Sequence, residues 1–208
     1  MTVVQIIVGS TRPDRAADAV ASWVVDRARR HSQFTVEVLD LRDWPLPFFA
    51  ETRATIGDFT NPTYHDAIVK RWNQTIARGD AYIVVTPEYN HSIPAVLKNA
   101  LDSVFVSFAF RNKPAAFVGY SGGLAAGVRA VEHLAHVAIE AELVPLRNTV
   151  LVARVGSAFD DDGAPRDPQA ETSLEILLED LDWWARLLHD ARAEQLPPAG
   201  IRVAAHAK

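Results

Sequence analysis

Five short apolar runs, each followed by a stretch of helical period, constrain this chain more than any other feature. The runs are Val3–Val8, Phe34–Leu39, 81–86, Ala115–Gly119 and Thr149–Ala153. Strands that are apolar at nearly every position are buried on both faces, as in a parallel sheet. Helical periodicity fills the gaps at 14–30, 64–78, from Pro94, at 125–141 and at 168–190. The Pro94 helix sets Ile93, Val96, Leu97, Ala100, Leu101, Val104 and Phe105 on one stripe. The last helix does the same with Leu174, Leu177, Leu178, Leu181, Trp184 and Leu188. Repeated βα units joined by right-handed crossovers place helices on both faces of such a sheet.

With 208 residues the chain is long enough for one well-buried α/β domain and short for two. A single domain over 1–190 with a C-terminal tail at 191–208 is the expected organisation. A net charge of −5 argues against a nucleic-acid partner, and the apolar runs are too short to span a bilayer. The N-terminus enters a strand within two residues, which leaves no room for a signal peptide, so a cytoplasmic location is expected. The chain has no cysteine. Thiol redox chemistry and iron–sulfur clusters are therefore excluded, and any electron transfer needs an organic cofactor.

Two loops at the carboxyl ends of strands carry the chemistry that the pattern allows. Gly9-Ser-Thr-Arg-Pro-Asp-Arg15 leaves the first strand and opens a helix, whose free N–H groups attract anions. Ser10 and Thr11 add hydroxyls, while Arg12 and Arg15 offer charge-assisted bonds to a phosphate. The second loop, Pro87-Glu-Tyr-Asn90, follows the third strand and leads into Leu97-Lys-Asn-Ala-Leu-Asp102. It is proline-stiffened and poor in acid–base groups, which suits a flat polar ring. Loops after the first and third strands fit a flavodoxin-like fold of order 2-1-3-4-5, whose switch point lies between those strands.

Together with Gly119-Tyr-Ser-Gly-Gly123, these loops resemble the NADPH-dependent FMN reductase family. The resemblance runs from Ile6 to about Val152 and takes in Leu46-Pro-Phe-Phe49 and Arg147-Asn148. It implies an FMN-dependent enzyme that takes hydride from NADPH or NADH and reduces a quinone, free flavin or similar small acceptor. It further implies that Ser10, Arg12 and the 15–17 region, Arg15 and Ala17 included, hold the FMN phosphate. Pro87, Glu88, Tyr89 and Asn90 would border the isoalloxazine ring, and Ser121, Gly122 and Gly123 would pass under its other edge. Relatives pair as homodimers or homotetramers, with Tyr89 and Arg129 as candidate contacts across the interface. The chain departs from the family after Asp102, where many relatives carry a tryptophan and this one reads Ser103-Val-Phe-Val-Ser-Phe-Ala-Phe110.

Other readings stay open from sequence. Asp40, at the end of the second strand, sits where a Rossmann enzyme places its ribose-binding acid, although Gly9-Ser-Thr-Arg lacks the Gly-x-Gly-x-x-Gly spacing. A non-enzymatic flavodoxin-type carrier would share the fold, as would a binding module without flavin. Against the carrier, the aromatic and proline-rich segment 40–63 suits a substrate pocket, with 44–59 shaping the acceptor site. His133 and His136 with Glu132 and Glu140 could form a metal face, but a solvated helix is the better reading. His91 either touches the nicotinamide or substrate or is structural. No side chain is assigned as catalytic and no metal is expected.

Overall fold

Alternation along the first strand explains how the sheet is covered. β1 (Thr2–Val8) turns Val4, Ile6 and Val8 to one face and Ile7 to the other. The computed structural model describes residues 1–57, 62–104 and 106–194. Phe59, Phe105 and the tail beyond 194 lie outside the described residues. β1 pairs in parallel with β2 (Phe34–Asp40) and with β3 (Ala81–Pro87), and β3 pairs with β4 (Pro114–Tyr120). β4 then pairs with both β5 (Val144–Pro145) and β6 (Val150–Val152). The order is β2-β1-β3-β4-β5 with β6 beside β4, the flavodoxin-like sheet expected from sequence, carrying one more strand.

The expected fifth strand, Thr149–Ala153, is β6, and the additional strand is β5, a two-residue pairing with β4 that precedes it. Val144 and Leu146 donate to the Lys113 and Ala115 carbonyls at 2.9 Å each, on either side of Pro145, and the four residues Leu146–Thr149 then stand opposite only Ala116 and Phe117. The excess residues bulge out before Val150 rejoins the register at Val118.

The helices are α1 (Ala17–Arg30), α2 (Arg53–Ile56), α3 (Ala67–Arg78), α4 (Ala95–Asp102), α5 (Val128–Glu140) and α6 (Pro168–Ala193). α1 and α6 bury Val20, Trp23, Val24, Leu174, Leu177 and Leu181 against one face. α3, α4 and α5 bury Trp72, Ile76, Leu97, Leu101, Val131 and Leu134 against the other. On α6, Trp184 and Leu188 are only half-buried, and Ala185 and Asp182 lie in the buried stripe instead. Among the described residues, no helix is long and apolar enough to cross a membrane.

Three helices begin later than their periodicity suggests. Asp14 takes a left-handed φ of 47°, which delays α1 to Ala17. Ala126 and Gly127, at 56° and 88°, delay α5 to Val128. Gly127 has no alternative, because a Cβ there would stand 2.5 Å from the Tyr120 nitrogen. α3 starts at Ala67 rather than 64, after an extended Asp66.

The aperiodic 40–63 segment is partly ordered by its own contacts. Leu41–Asp43 form one 3-10 turn, and α2 is closed by a Thr52–Thr55 capping box. Asn99 on α4 clamps the backbone between them, accepting from Phe49 N at 2.8 Å and donating to the Pro47 carbonyl at 2.9 Å. Trp44 packs edge-on against buried Trp72, with Arg71 above its ring at 4.9 Å.

Candidate functional site

The loops leaving β1, β3 and β4 meet at the carboxyl edge of the sheet around a cleft of about 260 Å³. Arg12 to Ala16 form one wall, Pro87, Glu88 and Tyr89 a second, and Tyr120, Ser121 and Gly122 a third. A fourth piece, Val155, was not anticipated. It arrives because Ser121 donates to the Val152 carbonyl at 3.1 Å and accepts at its own carbonyl from Val155 N at 3.0 Å. Sequence reasoning passed over this turn, although Gly156 and Ser157 follow Val155 directly.

At the first loop, Gly9 donates to the Val85 carbonyl at 2.8 Å, and an added Cβ would press within 2.9 Å of Leu97. Ser10 is fully buried, with its hydroxyl 2.8 Å from that of Tyr89. Arg12 is exposed, its guanidinium 5.5 Å from the Tyr89 ring centre. Among the described residues it has no ion-pair partner, so its charge is available to a ligand.

Arg15 behaves differently from the expectation. Its side chain is 2% exposed and donates to Asp18 at 2.9 and 2.7 Å, to Asp40 at 2.9 Å, and to the Ser10 carbonyl. Arg42 donates to the same Asp40 carboxylate through its backbone N–H at 2.9 Å and its side chain at 2.9 and 3.1 Å. Burial on its own would raise the Asp40 carboxyl, but the bonds from Arg15 and Arg42 outweigh it and hold the pKa at about 2. The guanidinium expected at a phosphate is thus committed to carboxylates, and it braces the Ser10 turn from behind. Asp40, enclosed by two arginines, is equally committed and does not face the cleft as a ribose acceptor would. Ala17 is fully buried in the core, and its neighbour Ala16 meets the cleft instead.

The second loop is a tight turn. Tyr89 and Ser92 exchange backbone hydrogen bonds at 2.9 and 3.0 Å around Asn90 and His91, both with positive φ. That geometry turns Asn90 and His91 outward to solvent, while Pro87, Glu88 and Tyr89 remain on the cleft wall. Glu88 donates its backbone N–H to the Tyr120 carbonyl at 3.0 Å, and its buried carboxylate accepts from Arg129 Nε at 2.6 Å. Tyr89 and Arg129, candidates for contacts between subunits, therefore both have partners within the chain.

The third loop is open. A Cβ on Gly122 or Gly123 would meet nothing within 4 Å, so bare backbone faces the space above it. Tyr120, the last residue of β4, is 4% exposed, and its hydroxyl has no partner in hydrogen-bond geometry although Ser10 lies beside it.

The candidate metal face does not assemble. His133 pairs with the Ser92 hydroxyl at 3.0 Å, and no metal-binding group of three ligands occurs among the described residues. Within the cleft, Glu88 is tied to Arg129 and Asp14 is exposed, which leaves no buried general base. A site of this kind binds and orients a ligand, and redox chemistry in it requires a cofactor. The features present fit FMN: a free cation, hydroxyls and the α1 N-terminus at one end, and open glycine backbone at the other.

Sheet order and site together define a flavodoxin-like protein with a cleft at the carboxyl edge of its sheet. The chain belongs to the NADPH-dependent FMN reductase family, whose family model matches residues 1–156. It is 36% identical over 133 residues to an NAD(P)H-dependent FMN reductase of Schizosaccharomyces pombe, covering 64% of each chain, so the match spans just under two thirds of that relative. A 2-hydroxy-1,4-benzoquinone reductase of a Burkholderia species is 27% identical over 187 residues, 88% of this chain and 96% of that one. Among solved structures, the flavoenzyme NAD(P)H:acceptor oxidoreductase FerB of Paracoccus denitrificans superposes with a TM-score of 0.67 at 23% identity. That superposition covers 91% of this chain and 98% of FerB, and it speaks to the fold.

Proposed function

We propose that the protein is an FMN-dependent oxidoreductase that takes hydride from NADPH or NADH and reduces a quinone, free flavin or similar small acceptor. The observation that carries this reading is the polarity of the cleft, with unpaired Arg12 and buried hydroxyls at one end and open Gly122–Gly123 backbone at the other. Ser10 and Arg12 would bind the phosphate, helped by the first turn of α1. Pro87, Glu88 and Tyr89 would border the ring from one side, with Asn90 setting the turn, while Ser121, Gly122 and Gly123 would lie along the other. When bound, FMN supplies the two-electron chemistry that no side chain here provides. The chain's own groups fix the flavin, offer N–H dipoles at its polar edge and leave room for a nicotinamide.

A homodimer or homotetramer belongs to the same reading. A groove between α4 and α5 has an apolar floor of Leu101, Val137 and Ala141, and Ile139 and Phe48 stand exposed. A cytoplasmic location and a single domain over 1–190 complete the proposal, although α6 runs on to Ala193. The test is turnover: FMN-loaded protein should oxidise NADPH in the presence of a benzoquinone and scarcely without it. FMN-loaded protein that leaves NADPH untouched with every acceptor would favour an electron carrier.

A further inference from the structure

Two phenols converge on one buried serine at the phosphate end of the cleft. Tyr89, from the turn after β3, pairs with the Ser10 hydroxyl at 2.8 Å. Tyr120 comes from the end of β4, and its hydroxyl is buried without a partner in hydrogen-bond geometry. A buried hydroxyl left unpaired destabilises a fold, and native structures rarely keep one without a reason. Here the surroundings supply the reason. Tyr120 lines the cleft together with Arg12, Pro13 and Ala16, and Arg15, its nearest buried cation, is already committed to Asp18 and Asp40.

We propose that Tyr120 is a ligand-binding residue of the cleft, its hydroxyl donating to a phosphate oxygen of the ligand and so favouring FMN over riboflavin. The inference rests on the FMN reading above and adds to it a residue that the family motifs did not single out. The group is suited to donation at any physiological pH. Burial, then the neighbouring Tyr89, raises its pKa above that of an ordinary phenol, and the opposing effects of Arg15 and Ser10 are smaller. An acceptor supplied by a phosphate would satisfy the hydroxyl.

The experiment is Tyr120→Phe, read by FMN titration, riboflavin titration and thermal melting of the flavin-free protein. Removing an orphaned hydroxyl should leave the melting temperature of the flavin-free protein unchanged or raised. FMN should bind about tenfold more weakly, in line with the loss of one hydrogen bond to a charged group, and riboflavin should bind as before. Unchanged FMN affinity would overturn the proposal, as would equal weakening for both flavins. A lower melting temperature with intact FMN affinity would also overturn it, by marking the hydroxyl as structural. Failure of the unmodified protein to bind FMN would overturn the reading beneath the proposal, and the proposal with it.

Discussion

Glu88 and Arg129 join the loop after β3 to the first turn of α5 through an ion pair whose carboxylate is buried and whose guanidinium reaches the surface. Glu88 accepts from Arg129 twice, at Nε over 2.6 Å and at the backbone N–H over 3.3 Å. The second bond satisfies a free donor of the helix N-terminus, where a negative charge is favourable. The pair therefore holds the wall of the cleft against the helix that follows β4.

Arg129→Ala should lower stability by about 1–3 kcal/mol, because it strands a buried carboxylate. Glu88→Gln should cost less, since the amide keeps an acceptor for the helix N–H. Urea unfolding of both variants checks the order, and an Arg129→Ala protein as stable as the original would contradict it.

Arg12 and Arg15 should separate cleanly. Arg12→Ala should weaken FMN binding by about 1.5–3 kcal/mol with stability nearly unchanged, since its side chain is exposed and has only the Tyr89 ring. Arg15→Ala should instead destabilise the fold by about 3 kcal/mol or more, by leaving Asp40 without its buried partner. Paired FMN titrations and unfolding curves decide the matter. Equal behaviour of the two variants would remove the distinction between ligand cation and brace.

Acid should release the same brace. Asp40 titrates near 2 in the folded chain against an ordinary value of 3.8. A carboxyl lowered by folding stabilises above its unfolded pKa and loses that contribution as pH falls through the folded one. The stabilisation, about 2 kcal/mol, should thus be complete above about pH 4 and fade toward pH 2. Asp40→Asn should flatten the stability profile in that window, while an unchanged slope would show that other carboxylates govern acid unfolding.

Phe48 is 86% exposed on a backbone that Asn99 holds in place from both sides. An aromatic kept rigid in solvent suits contact with a substrate or a partner. Phe48→Ala should leave melting and FMN affinity unchanged and raise the KM for a quinone severalfold. Unaltered acceptor kinetics would separate the 44–57 segment from the acceptor site.

The features legible in the sequence were those governed by local pattern. Apolar runs such as Ala81–Val85 located the strands, the loops after the first and third of them pointed to the sheet order, and Pro87 and Gly122 marked walls of the cleft. Local pattern could not show what depends on distant partners. Arg15 reads as a free cation until Asp40, 25 residues away at the end of β2, is found against it. The same holds for Glu88 with Arg129 and for the late starts of α1 and α5, where positive φ at Asp14 and Ala126 carries no composition signal. The two-residue β5 gave no pattern of its own and shows only in its register against β4. Tyr120 lay inside a recognised motif, but its significance comes from burial without a partner, which only coordinates reveal.

The most direct test of the account is the visible absorption spectrum of the purified protein, recorded with added FMN and again after anaerobic NADPH. The account predicts flavin bands that stay with the protein through gel filtration, bleach with NADPH and return with a quinone. Protein that retains no flavin even at high FMN would contradict it and leave the cleft without its ligand.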